Sequence, residues 1–278
     1  MGGRTNARPQ GDGRLPPLIY LFCLVRDVRQ PSTRDVTASL PGGTPSRAVP
    51  AGGGLWLILC ELPADRYSAD RIDARLRDLD WLSACALAHE SVVQRFVNRP
   101  ALAPMKLFTM FASETRALAL VRRRRRRFDR ILDRVAGCRE WGVRVVPGAV
   151  RPRSRPQTPA TSGVEFLQRK QRALEAKVAS AGRGRQLADR VHRRLRSLAR
   201  AAARQEATPR VAGLAAPVLD AAYLTAGTGA AFRAAVRHLD RTARAQGYRV
   251  MLTGPWPPYH FVGASRVSWS GRGAGMKR

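Results

Sequence analysis

The chain has 278 residues with a hydrophobic fraction of 44%, which is room for about two domains with buried cores. Four cysteines with no C-x-x-C pair exclude a dense disulfide scaffold, and the longest apolar runs fall far short of the ~20 residues that cross a bilayer. Its formal net charge of +30 favours an anionic partner, whether nucleic acid, anionic membrane or acidic protein, without choosing among them. Residues 1–150 carry 25 basic and 14 acidic residues, against 25 and 6 in 151–278, so the excess is concentrated in the second half.

Residues 1–17 are rich in Gly, Arg and Pro and read as a disordered tail. "LIYLFCLV" (18–25) is a short apolar run of β-forming residues and reads as a buried strand. It could imitate a signal peptide, but it lacks a small-x-small cleavage site and runs straight into Arg26-Asp27, so the protein reads as intracellular and soluble. Residues 29–54, with several prolines and glycines, read as a long loop, and "LWLILCEL" (55–62) as a second strand. Ile72, Leu76 and Leu79 then recur at helical spacing, with Ser68 as N-cap; Val92, Val93, Phe96 and Val97 form the face of a further helix. "KLFTMF" (106–111) reads as a strand. Ser113 caps a predicted helix from Glu114 to about Val135, closed by Gly137, and "EWGVRVV" (140–146) is another strand.

This β-β-α-β-α-β order predicts a modified ferredoxin-like α+β domain over 18–148, followed by a Pro/Arg-rich linker at 149–163. Residues 164–206 read as two helices broken at Gly182 and Gly184. With Leu167 and Leu174 seven apart, the two are expected to pair as a helical hairpin. A strand (218–226), a helix stopped by Gly247 and a final strand from Tyr248 complete a second α+β domain over 164–262, and 263–278 reads as a flexible tail.

The chemistry-bearing residues are sparse. His89, His192, His238 and His260 lack ligand partners at metal spacing; His89 and His260 read as packing or capping residues, and no metal or cofactor is expected. There is no G-x-S-x-G elbow, P-loop or paired carboxylate, so nothing argues for an enzyme. Arg122, Arg123, Arg124, Arg125, Arg126 and Arg127 surround their helix rather than share one face. They read as a solvated electropositive collar or as an anionic-partner patch.

"LTGPWPPYHFV" gathers Trp256, Tyr259 and Phe261 onto a segment stiffened by Pro255, Pro257 and Pro258, entered through Thr253 and Gly254. Rigid aromatics of this kind anchor either a packed corner or a partner-binding edge, and the packed corner, fixing the second domain against the first, is the reading adopted. The motif resembles the C-terminal signature of the gas-vesicle accessory family GvpL/GvpF. The supporting segments "YLFCLV", "GLWLILCEL", "AHESVVQRF" with His89 and Glu90, "EWGVRVV", "EFLQRKQRAL" and "AAYLTA" follow in the family's order. One segment departs from it: Lys106, Leu107 and Phe108 stand where the family pattern has Arg, Phe and Gly, while Thr109 is kept.

The resemblance implies a non-catalytic two-domain protein that binds the small hydrophobic gas vesicle shell protein and other accessory proteins, and assists vesicle nucleation and assembly. Two alternatives stay open on the residues alone: a basic nucleic-acid-associated protein, or a ferredoxin-like module sensing a small molecule.

Overall fold

A computed structural model describes residues 15–33, 39–148, 162–205 and 216–263. By compactness the chain divides into two units, Met1–Phe96 with Pro104–Asp129, and Val97–Ala103 with Arg130–Arg278.

In the first unit, β1 (Leu18–Arg26) and β3 (Leu55–Leu62) pair antiparallel with a bulge between Leu21 and Cys23. Almost every residue of both strands is buried, so their sequences read as unbroken apolar runs rather than as alternations. β2 (Arg47–Gly52) pairs with the far side of β3 and joins it through Gly53 and Gly54, both at positive φ. This corrects the expected long loop over 29–54. The Gly-Gly-Gly step is a hairpin signal, and Pro50 is tolerated because β2 pairs on one side only.

Three helices follow. α1 (Ala64–Tyr67) and α2 (Ala69–Arg75) are short; Ser68 does stand at the N-cap of α2, though its side chain makes no capping bond. Only Ile72 of the expected apolar stripe is buried, since α2 ends before Leu76 and a new helix begins at Leu79, leaving both leucines exposed. That helix, α3 (Leu79–Gln94), is capped by the Asp78 carboxylate, which accepts from the Trp81 amide, and it buries Trp81, Cys85, His89, Val92 and Val93.

The predicted strand over 106–111 is corrected to β4 (Ala101–Pro104) and the two-residue β5 (Met110–Phe111), which pairs with β1. Between them Phe108 lies at φ +61, so the chain turns where a strand was expected. The helix from Ser113 is also two: α4 (Glu114–Arg123), capped by the Ser113 hydroxyl, and α5 (Arg125–Val135).

The second unit is built on a four-stranded antiparallel sheet in the order β7-β8-β6-β9. Its strands are β6 (Cys138–Pro147), β7 (Ala201–Arg204), β8 (Leu219–Ala226) and β9 (Tyr248–Trp256). β6, assigned by sequence to the first domain, pairs with β8 and β9 here. Both neighbours run antiparallel to β6, so β8 and β9 are parallel and are joined by α7 (Ala230–Arg244) across an intervening strand, a split β-α-β unit. A final turn of helix, α8 (Tyr259–Val262), ends the described chain.

The expected helical hairpin is instead one continuous helix, α6 (Gly163–Arg196). Gly184 does not break it. A Cβ there would stand 2.7 Å from the Tyr248 hydroxyl and 3.1 Å from Val218, so the glycine is a notch into which β9 and the start of β8 pack. Tyr248 also donates to the Ser180 carbonyl at 3.3 Å. The C-terminal half of α6 buries Leu187, Ala188, Val191 and Leu195 in one cluster with Phe232 and Val236 of α7 and Val143, Val145 and Tyr223 of the sheet. The chain then enters β7, where "AAAR" was read as helix; pairing with β8 overrides a weak local preference. The α+β class holds for both units, and the ferredoxin-like expectation is compatible with this arrangement.

Candidate functional site: a proline-aromatic corner on an edge strand

β9 is the edge strand of the second sheet. Tyr248 and Val250 face the core while Arg249, Met251 and Thr253 face solvent, the alternation that antiparallel pairing on one covered face requires. The amide of Val250 points away from β6 and donates to the Asp240 carboxylate of α7 at 2.9 Å. Asp240 also pairs with Arg244 and Arg249. One end of the edge is thus blunted by a side chain.

The other end turns a corner. Thr253 lies opposite Gly142, where an added Cβ would stand 2.6 Å from the threonine hydroxyl, so the two strands approach closely. The register then shifts: Trp256 faces Glu140, and Gly254 and Pro255 bulge. Gly254 is at φ +116, and a Cβ there would meet the Glu140 carbonyl at 2.9 Å; both the backbone angle and the space demand glycine. The Gly254-Pro255 bond is cis.

Beyond the bulge, Pro257 and Pro258 are buried and Phe261 is 5% exposed, packed with Val135, Cys138, Ala222 and Leu224. Pro255 and Tyr259 are half-buried. Trp256 is 41% exposed. The expectation that all three aromatics pack is therefore corrected. The bulge leaves Trp256 exposed, and the prolines with Phe261 do the packing.

A polar lock that sequence reasoning missed holds the corner. The Glu140 carboxylate, 3% exposed, accepts from the His260 amide at 3.0 Å and bonds Nδ1 of the same residue. The Gln205 side-chain amide lies 2.8 Å from His260 Nε2. The bond to Glu140 raises the His260 imidazole above its ordinary value, against the opposing effect of burial. Glu140 is 120 residues away in sequence, so no local spacing could have announced the pair.

The arginine run is not a uniform collar. It straddles the α4–α5 junction, with Arg124 at φ −104 between the helices. Arg122, Arg123 and Arg126 are exposed; Arg124, Arg125 and Arg127 are half-buried. Arg125 is committed to the fold. Its Nε donates to both Asp129 oxygens, Nη1 to the Gly52 carbonyl at 2.7 Å and Nη2 to the Gly53 carbonyl at 3.2 Å, which clamps the β2–β3 turn. Arg26 meets the same Asp129 at 3.0 Å.

His89 is a packed histidine. It is 4% exposed, stacks on Phe22 at 5.7 Å and bonds the Tyr20 hydroxyl through Nδ1 at 2.7 Å. Burial pulls its pKa down to about 4, opposed by a backbone hydrogen bond at Met105. All four cysteines are free and buried. Among the described residues no group of three or more His, Cys, Asp or Glu side chains could hold a metal ion, and no helix is long and apolar enough to cross a membrane.

A family model described as "Gas vesicle synthesis protein GvpL/GvpF" matches residues 18–263. The chain belongs to the GvpL/GvpF family. It is 33% identical over 231 residues to "Gas vesicle protein L" of Streptomyces sp. (strain CB03234), covering 80% of this chain and 85% of that one. The fold is similar to the crystal structure of the gas vesicle protein GvpF from Anabaena sp. PCC7120, with TM-score 0.62, 17% identity, and 90% of this chain and 98% of that one covered. It is likewise similar to GvpF from Microcystis aeruginosa, with TM-score 0.61, 15% identity, and 89% and 99% covered. The GvpL/GvpF match ends at Gly263, just past the proline-aromatic corner, so the whole corner lies inside the family region. Phe108, inside the matched region, is the one non-glycine residue at positive φ among the described residues.

Proposed function

We propose that this protein is a non-catalytic gas vesicle accessory protein that binds the small hydrophobic shell protein, and with it other accessory proteins, and assists vesicle nucleation and assembly in the cytoplasm. Family membership supports the gas vesicle role, and one observation supports how binding works. β9 is an edge strand whose exposed side carries Met251, and it ends at a stiffened corner presenting Trp256. An edge strand offers backbone groups to another chain, and a rigid exposed aromatic beside it offers an anchor. Shell subunits that assemble through apolar surface need shielding until they are placed, and such an edge can supply it by adding a strand and covering an apolar side chain.

The corner, with Thr253, Gly254, Pro255, Trp256, Pro257, Pro258, Tyr259 and Phe261, is the partner motif in this reading: Phe261 and the prolines hold it rigid, and Trp256 makes contact. The test is co-expression with the small shell protein, capture of the complex and a wash at about 0.5 M salt, where exposed charges are screened beyond a few ångströms. Retention supports a short-range apolar contact. Release at that salt, with nucleic acid bound at low salt instead, contradicts the proposal and favours the exposed arginines as the working surface.

A further inference from the structure

The N-terminal half of α6 carries an apolar stripe that is exposed among the described residues. Val164, Leu167, Leu174 and Val178 are each between 62% and 66% exposed. With Gln171 and Ala181 they fall on alternating three- and four-residue steps: Val164, Gln171 and Val178 at one heptad position, Leu167, Leu174 and Ala181 at the other. This is the a/d pattern of a two-stranded coiled coil. The stripe drifts by about 20° per seven residues on a straight helix, the drift that left-handed supercoiling removes. At 100° per residue its centre lies about 130° around the helix from the face that buries Leu187, Val191 and Leu195, so a partner can reach it without displacing the sheet. Phe166, also exposed, lies outside the seam.

The seam was expected to pair within the chain, across a break at Gly182 and Gly184. Since α6 is continuous, the second helix of that hairpin is missing among the described residues. The sequence stretches outside the described residues, 1–14, 34–38, 149–161, 206–215 and 264–278, contain no apolar a/d repeat to replace it. A second copy supplies a matching seam. In a parallel, in-register pair, Lys170 at the position flanking the seam meets Glu175 of the other copy, five residues on, twice across the two-fold axis. Gln171 is a single polar residue at an a position, the kind that fixes register and two strands; in the chain alone its amide donates to Glu175 at 3.1 Å.

We infer that α6 forms a parallel two-stranded coiled coil with α6 of a second copy through Val164, Leu167, Leu174 and Val178. The seam spans only 18 residues, Val164 to Ala181, and each copy carries +30, so the dimer is weak at low salt and tightens as salt screens the repulsion. That is the opposite salt trend from binding to nucleic acid. The inference does not depend on the shell-protein proposal.

Sedimentation velocity of the full chain at about 0.15 and 0.5 M salt, from low to high micromolar concentration, tests it. The expected result is a concentration-dependent shift from the 30.6 kDa chain to twice that mass, stronger at high salt. Leu174→Asp should weaken association at least 100-fold with unchanged circular dichroism and melting, because Leu174 is exposed. Lys170→Glu should weaken it, and adding Glu175→Lys should restore it. Leu167→Cys should cross-link to itself under oxidation, since the native thiols are buried; an antiparallel pair would keep the two cysteines apart. Three results would overturn the inference: a single 30.6 kDa species under every condition, a dimer that Leu174→Asp leaves intact, or a monomer whose Leu174→Asp variant loses capture of another gas vesicle protein.

Discussion

Phe108 holds φ +61, and the left-handed region costs an L-residue roughly 1–2 kcal/mol. Its ring stacks on Trp81 at 5.4 Å and 8°, an arrangement that contributes about 0.5–1.5 kcal/mol beyond area burial. The two effects nearly offset. Phe108→Gly should therefore change stability by less than about 1 kcal/mol in the native chain, and should stabilise by about 1 kcal/mol once Trp81 is alanine. A urea double-mutant cycle measures the coupling; an equal loss in both backgrounds would show that the stack does not offset the strain. His89 gives a second test. Its folded pKa of about 4 lies below the ordinary value of 6.5, so the unfolded chain binds the proton first. The stability gained by keeping His89 neutral is present above pH 6.5 and lost as pH falls from there toward about 4. His89→Gln should flatten the fall in melting temperature over that window. The packed character of His89 was legible in the absence of ligand partners around it. The exposure of Trp256 was not, because the bulge that leaves it exposed depends on Glu140 and Gly142 in another strand.

At the scale of elements, local pattern identified β1, β3, β6, β8 and α7, whose apolar runs or stripes match their burial. It failed where a long-range partner decides the outcome. β7 is helical by composition and a strand by pairing, and α6 continues through glycines because Tyr248 packs against the bare backbone of Gly184. The arginine run concealed a clamp for the same reason: nothing near Arg125 in sequence reveals that it reaches Gly52 and Gly53. Arg125→Ala should cost roughly 1–3 kcal/mol by leaving the turn carbonyls and part of Asp129 without their charged donor. Arg125→Lys should recover little of it, because a lysine ammonium cannot span both carbonyls and the carboxylate. Chemical denaturation of the three proteins decides it; full rescue by lysine would mean that charge alone matters and the fork does not.

At the scale of the whole molecule, the protein combines a +30 charge with two antiparallel sheets and a proline-aromatic corner on the edge of the second. The α+β class and the family were legible because the corner motif is short, ordered and rich in rare residues. The partition of the chain was less so: β6 precedes the linker yet pairs beyond it, and sequence proximity argued for the wrong sheet. What carries function in this account is the exposed side of the corner rather than its packed side. The most direct test is retention of the co-expressed small shell protein by Trp256→Ala at about 0.5 M salt, with melting temperature recorded on the same sample. Trp256 is 41% exposed, so the account expects melting to stay nearly unchanged while retention drops at least tenfold. Retention at the native level, or a loss matched by a melting decrease as large as that of Phe261→Ala, would contradict it.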